Sequence, residues 1–233
     1  MKKTLFILAG LFVITVINAQ TLNEIVKNYS AAIKQDKLTN LKTIKITGKI
    51  AAMGMEMPMV MYMKNPNKIK TVMSFNGQDM ISVFDGEKGY MINPMTGSAA
   101  PVEITGAQLK QVQENNLFKN VLLNYFKDGK LTLEGQENVN DKPAFKLKVT
   151  EGANPVYLYL DKGSSMLVKI SAIVDQMGTP TNVDSYMTDY SDIDGVVIPK
   201  KTTAMSNGME AAVITFDKIE VNTPMEESIF KLK

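Results

Sequence analysis

A regular run of methionines constrains the fold of this chain more than any other feature of its sequence. From Met53 to Met63 every second residue is methionine. Because side chains alternate between the two faces of an extended chain, this spacing places the thioethers on one face of a strand or hairpin. A helix would spread a period of two around its whole circumference. The run therefore predicts β structure with one methionine-lined face.

Three roles are open to such a face. It can be an ordinary sheet core in which methionine replaces valine and isoleucine. Methionine is unbranched and flexible, so it also suits a binding surface for ligands of variable shape. Thioethers are, in addition, soft ligands for Cu(I), which makes a copper site the third alternative.

The N-terminal segment has the pattern of an export signal. Lys2 and Lys3 precede an apolar stretch over residues 4–17, and Ala19 provides a small residue for cleavage before Gln20. The apolar stretch is short for a bilayer span. We therefore expect a signal peptide over residues 1–19 and a single domain over residues 20–233 in the periplasm.

The composition argues against several classes of function. The chain has no cysteine and no histidine, which excludes the common catalytic triads, thiol enzymes and most transition-metal sites. Its basic residues are all lysine, whereas nucleic-acid recognition relies on arginine forks and basic patches. The acidic residues between Asp184 and Asp194 lack the spacing of a calcium loop. We expect no catalytic residue, no metal site, no cofactor and no nucleic-acid partner.

The order of the local patterns predicts a mainly β chain with two helical parts. Thr21 and Glu24 form a capping-box pattern, which predicts an amphipathic helix from Leu22 to about Lys37. Short β runs separated by turns follow from Leu41 on, and a helical insert covers residues 105–126 before further β runs from Leu131. We expect an α+β fold built around an antiparallel, barrel-like sheet of about eleven strands.

A set of short segments extends over nearly the whole mature chain. They are 42–49 (KTIKITGK), 63–68 (MKNPNK), 84–90 (FDGEKGY), 145–149 (FKLKV), 158–161 (LYLD), 189–192 (DYSD), 197–199 (VIP) and 228–230 (SIF). With the export signal, the capped helix and the helical insert, they resemble the LolA/LolB-like family of outer-membrane lipoprotein-sorting proteins, most closely its Bacteroidetes-type members.

The resemblance implies an unclosed β-barrel whose helical lid covers an apolar cavity for acyl chains. It implies a non-catalytic, monomeric periplasmic carrier, or chaperone, that binds the acyl chains of lipoproteins or lipids for outer-membrane lipoprotein sorting. An inner-membrane donor and an outer-membrane acceptor would then be its protein partners. Two alternatives stay open: an envelope lipid or stress sensor on the same fold, and a periplasmic Cu(I)-binding protein that uses the Met-x-Met run.

The resemblance also assigns candidate residues to the cavity. The wall would come from the methionine face and the lid from the apolar positions of the helical insert: Met55, Met57, Met59, Met61, Met63, Met73, Met80, Leu109, Val112, Leu117, Val121 and Leu122. LolA-type carriers link barrel and lid through an arginine, and this chain has none. A lysine could donate to lid carbonyls instead, but without the planar fork of arginine, so we expect the gating of the lid to differ.

Overall fold

Short helices precede and interrupt the strands in the part of the chain that the structure describes. The computed structural model describes residues 20–96, 98–151, 154–176 and 178–232, so the expected signal peptide lies outside the described residues. The described α-helices are α1 (Leu22–Ala32), α2 (Gln35–Asn40), α3 (Gly106–Glu114) and α4 (Val121–Lys127). Within this part of the chain, no helix combines the length and the apolarity that a bilayer crossing requires.

The first helix begins at the predicted capping box but ends early. The Glu24 backbone N–H donates to Thr21 Oγ1 over 3.3 Å, and the Thr21 backbone N–H donates to Glu24 Oε2 over 2.8 Å. The expected single helix to Lys37 is wrong, because Lys34 adopts a left-handed φ of 55° and starts a separate helix, α2. One residue with a left-handed backbone is sufficient to end a right-handed helix, since the chain cannot continue the helix through that conformation.

The strands form one continuous antiparallel sheet. In chain order they are β1 (Thr43–Ala52), β2 (Met55–Lys64), β3 (Lys68–Phe75), β4 (Gln78–Phe84), β5 (Gly89–Asn93), β6 (Ser98–Ile104), β7 (Leu131–Val139), β8 (Lys142–Val149), β9 (Val156–Asp161), β10 (Leu167–Gln176), β11 (Thr179–Ile193), β12 (Val196–Ser206) and β13 (Met209–Val221).

The strand order shows why the sheet stays open. It runs β6-β5-β4-β3-β2-β1-β13-β12-β11-β10-β9-β8-β7, so β1 pairs with β13 and the two edges are β6 and β7. The chain segment that joins these edges is the helical insert with α3 and α4. This confirms the predicted unclosed antiparallel barrel. The described residues form thirteen strands, not about eleven. Strand β6 was not predicted, because its alanines and Pro101 are weak strand formers.

Cross-strand register divides the side chains between two faces. Ile44 lies opposite Met63 on one side and Val221 on the other, and Met63 lies opposite Ile69. Because directly opposed residues point to the same face, these side chains share a surface, and α2 packs on it through Leu38. We call this helix-bearing surface the inner face. Full burial of such a side chain stabilises the fold by about 1.5–3 kcal/mol.

The outer face has its own cover near the C-terminus. A short 3₁₀ helix over Glu227–Phe230 packs against β3, and Phe230 is only 1% exposed. The Glu227 carboxylate accepts from Lys64 and Lys68, each over 2.5 Å. These two lysines are opposed in the β2–β3 register, so one carboxylate joins the last turn of the chain to two strands.

Candidate functional site

The helical insert crosses the inner face from one sheet edge towards the other. We call residues 105–128 the lid. At its start, a Cβ on Gly89 would lie 2.7 Å from Leu109 Cδ1, so α3 rests directly on β5. Further along, Phe118 belongs to the core cluster under α2. Leu122 belongs to another core cluster, which is formed by buried residues of α1, β7, β8 and β9.

Two buried asparagines hold the lid in place. Asn116 Nδ2 donates to the Pro66 carbonyl over 2.9 Å, and its Oδ1 accepts from the Phe118 backbone N–H over 2.9 Å. Asn120 Nδ2 donates to Gln35 Oε1 over 2.7 Å. Buried polar groups must be paired because an unsatisfied one costs about 1–3 kcal/mol. The lid is thus joined to the β2–β3 turn and to α2 by side-chain amides.

Asn120 also begins α4. Its Oδ1 accepts from the Leu123 backbone N–H over 3.1 Å, which is the usual N-cap bond. The sequence analysis missed this residue, although an asparagine directly before an apolar run is a helix start signal. Nothing in the sequence could have indicated its partner, because Gln35 lies 85 residues away.

An apolar cavity of about 310 Å³ lies between the lid, the first two helices and the second half of the sheet. It falls at the lower end of the volumes found for small-molecule sites. Its polar lining consists of Glu114, Asn116, Lys119 and Asn120. The apolar and aromatic lining consists of Tyr29, Ile33, Leu38, Leu117, Val121, Leu122, Tyr125, Leu158, Leu167, Ile170, Met187, Tyr190, Val197, Ile198 and Pro199.

The two most buried phenols of the cavity are neutral. Burial raises the pKa of Tyr29 to about 12, against a smaller lowering by its hydrogen bond with Asn120. Burial also raises the pKa of Tyr190, with the nearby Tyr29 adding to the shift. The Tyr190 hydroxyl donates to the Leu167 carbonyl over 2.5 Å, so its proton is already engaged. These phenols therefore present their rings, rather than charge, to the cavity.

The predicted lid residues divide between two places. Leu117, Val121 and Leu122 line the cavity. Leu109 lies at the opposite end of the lid, against β5, and Val112 is half-buried on the same helix, α3. The cavity wall facing the lid comes from β9 to β12, including Leu158, and was missed. Its sequence signal was only strand alternation, which does not distinguish a cavity wall from core.

The methionine run lies on the inner face but does not line this cavity. Met59 and Met63 are buried at 3% and 1% exposure, whereas Met55 is 44% exposed. Met57 and Met61 are half-buried, as are the predicted Met73 and Met80 on the adjoining strands β3 and β4. Met59 lies opposite Met73, which in turn lies opposite Met80. The half-buried methionines thus form a partly open apolar surface beside the closed core.

Met53 departs from the predicted pattern. We expected all six thioethers on one face, but Met53 occupies the β1–β2 turn with a φ of 52°. It is 92% exposed. Five methionines, Met55 to Met63, therefore alternate along β2, and the sixth belongs to the turn.

The acidic residues singled out in the sequence have separate roles. Asp184 pairs with Lys169 over 2.9 Å, and Asp192 pairs with Lys34 and accepts from the Gly195 backbone N–H. Asp189 adopts a positive φ within β11. Among the described residues, no group of three or more carboxylate, histidine or cysteine side chains is placed to hold a metal ion.

Comparison with solved structures shows that this open sheet with its helical insert has a LolA-like fold. A DUF1329 family protein from Desulfovibrio piger matches with a TM-score of 0.59 and 13% identity, over 89% of this chain and 97% of that chain. An outer membrane lipoprotein-sorting protein domain from Vibrio parahaemolyticus matches with a TM-score of 0.57 and 11% identity, over 88% and 97% of the chains.

A LolA superfamily protein from Nitrosomonas europaea matches equally well in extent. Its TM-score is 0.56 at 12% identity, over 88% of this chain and 97% of that chain. No protein-family model and no curated protein matches the sequence. At such low identity the similarity shows the fold, and function must be argued from the site.

Proposed function

We propose that this protein is a non-catalytic carrier that binds acyl chains of lipoproteins or lipids beneath its lid. The observation that carries the proposal is the apolar cavity between the lid and β9 to β12. A hydrocarbon chain gains about 0.8 kcal/mol for each methylene that leaves water. A cavity with mainly apolar walls and neutral phenols supplies that gain without leaving polar groups unpaired.

The methionine surface supports binding of longer chains. Leu117 lines the cavity and packs against the same core cluster as Met61. From there the half-buried methionines continue across β2, β3 and β4 on the inner face. Flexible thioether side chains adapt to chains of different shape. We assign the apolar cavity to the end of an acyl chain and the methionine surface to its remaining length.

The similarity in fold supports a periplasmic location and protein partners for this carrier. The structure from Vibrio parahaemolyticus is described as an outer membrane lipoprotein-sorting protein domain. By analogy, we place this protein in the periplasm as a monomer that receives acylated cargo from an inner-membrane donor and passes it to an outer-membrane acceptor. The expected signal peptide over residues 1–19 is consistent with this placement.

Native mass spectrometry of the protein purified without detergent tests the proposal. We expect a bound species with the mass of a lipid or an acylated peptide. Ile170→Trp, which fills the cavity from β10, should remove it. Ile173→Trp should not, because Ile173 points to the opposite face of the same strand and is 42% exposed.

Two results would contradict the proposal. One is equal lipid occupancy in the two tryptophan variants. The other is protein that never carries lipid but takes up Cu(I) stoichiometrically, which would instead favour copper binding by the methionine run.

A further inference from the structure

A second, cationic cleft adjoins the apolar cavity. It lies between α1, α2 and α4 and has a volume of about 920 Å³. Five lysines line it, with Asp36 as the one carboxylate of the described lining: Lys27, Lys34, Lys37, Lys119 and Lys127. The whole chain carries 26 basic and 24 acidic residues, so this concentration of one sign is a local feature. We call it the lysine groove.

Helical spacing brings these side chains together. Lys27 lies in the middle of α1, and Ser30 and Ala31, one turn later on the same side, also line the groove. Lys34 follows the end of α1, where it is the N-cap of α2. On α4, Lys127 comes three residues after Asn124 and seven residues after the N-cap Asn120, and all three line the groove. The two helices contact each other, and the groove is the cleft between these faces.

Four of the five lysines, Lys37 among them, form no ion pair within the described residues. Lys34 is paired with Asp192, whose pKa is lowered chiefly by the hydrogen bond from Lys34 and also by the nearby Lys37. In the described part of the chain, no ion pair or side-chain hydrogen bond engages Lys27, Lys119 or Lys127. Like charges without partners repel one another, and a bound anion would remove this repulsion.

The groove and the cavity meet at two residues. Lys119 and Asn120 line both of them. An apolar compartment and a cationic compartment thus share a boundary at the point where the lid enters α4. This arrangement is complementary to an amphiphile with an acyl chain at one end and an anionic group at the other.

We propose that the lysine groove binds the phosphate-bearing headgroup of an anionic lipid whose acyl chain occupies the cavity. This inference rests on the proposed function and narrows its ligand class. Lysine binds phosphate as a compact point charge, and the unpaired ammonium groups that line the groove supply the positive charge for one headgroup. Phosphatidylcholine carries a quaternary ammonium beside its phosphate, so its neutral headgroup gains less from a cationic groove.

The test compares two lipids with identical acyl chains. Binding of phosphatidylglycerol and phosphatidylcholine is measured by native mass spectrometry after incubation with vesicles of each lipid. We expect the wild-type protein to prefer phosphatidylglycerol by about tenfold or more, equivalent to about 1.4 kcal/mol. Added salt should reduce the preference, because exposed charges are screened.

Matched charge variants identify the groove as the cause. The variant K27Q/K37Q/K127Q, whose three lysines line the groove but not the cavity, should lose the preference and keep its affinity for phosphatidylcholine. The control K142Q/K201Q/K231Q removes the same number of charges from exposed lysines elsewhere and should behave as the wild type. Equal binding of the two lipids by the wild type would overturn the headgroup site and leave the carrier function intact.

The remaining outcomes separate the alternatives. Binding of neither lipid would contradict the carrier function itself. A site for free phosphate would be shown if glycerol 3-phosphate bound as tightly as phosphatidylglycerol, and this too would overturn the lipid assignment. A groove variant that lost both lipids equally would mean that the lysines support the fold and not the headgroup.

Discussion

Asn120 and Gln35 are joined by a 2.7 Å hydrogen bond between their buried side-chain amides. The first residue caps α4 of the lid, and the second is the first residue of α2. The bond therefore connects the lid to the N-terminal helices directly beside the apolar cavity. Any movement that opens the lid at this end must break it.

Asn120→Ala should loosen the lid and destabilise the protein. The substitution removes the α4 cap and leaves the Gln35 side chain without its partner, which should cost about 1–3 kcal/mol. Asn124→Ala lies one turn later on α4 and is exposed, so it should change stability by less than about 0.5 kcal/mol. Urea denaturation of both variants measures the difference. Equal effects would show that the hydrogen bond has no structural weight.

Charges on the methionine surface should weaken binding of long acyl chains. Met73 and Met80 are opposed on β3 and β4 and half-buried on the inner face. Carboxylates at both positions would have to be desolvated under a chain, which is strongly unfavourable. The control pair, Met95→Asp with Met209→Asp, alters methionines that are 62% and 73% exposed. Native mass spectrometry should show reduced loading with C18 lipids in the first pair alone. Unchanged loading in a folded M73D/M80D variant would remove this surface from the binding site.

Acid should release the C-terminal 3₁₀ helix from the outer face. Hydrogen bonds from Lys64 and Lys68 lower the pKa of Glu227 from 4.5 to about 2. A lowered folded-state pKa gives stability that is complete above the unfolded value and is lost as the pH falls towards the folded value. The thermal stability of the wild type should therefore exceed that of Glu227→Gln at neutral pH. This advantage should shrink between about pH 4.5 and 2.

Glu226→Gln provides the control for the acid experiment. Glu226 is the exposed neighbour of Glu227, and no ion pair joins it to a lysine among the described residues. Its substitution should leave the pH profile of the melting temperature unchanged. The assignment fails if both glutamine variants follow the same profile.

Alkaline pH should destabilise the protein by ionising Tyr29 in the cavity wall. Burial raises the pKa of Tyr29 from 10.0 to about 12, so the folded state holds this proton more tightly than the unfolded chain. The resulting stability is complete below about pH 10 and is lost as the pH rises towards 12, amounting to about 2–3 kcal/mol. Tyr29→Phe has no phenol to ionise, so its unfolding free energy should fall less between about pH 10 and 12. Parallel pH profiles for the two proteins would contradict this role of Tyr29.

The strand pattern could be predicted because each signal was local. The alternation of Met55 to Met63 and the Asn76-Gly77 turn describe neighbouring residues, and turn chemistry depends on little else. The capping box at Thr21 is local in the same sense. The end of α1 could not be predicted, because it falls at a lysine with a left-handed φ of 55°, and in a sequence glycine or asparagine is the usual signal for that conformation.

By itself, the sequence determined that antiparallel strands flank a helical insert and that one face of the methionine strand is apolar. Only the tertiary structure decided which strands the lid covers. Contacts separated by many residues, such as that from Asn120 to Gln35, hold the second half of the lid over β9 to β12 and leave the methionines of β2 partly open. Side-chain alternation specifies a face, but the position of a cavity along that face depends on how the two sheet edges are joined.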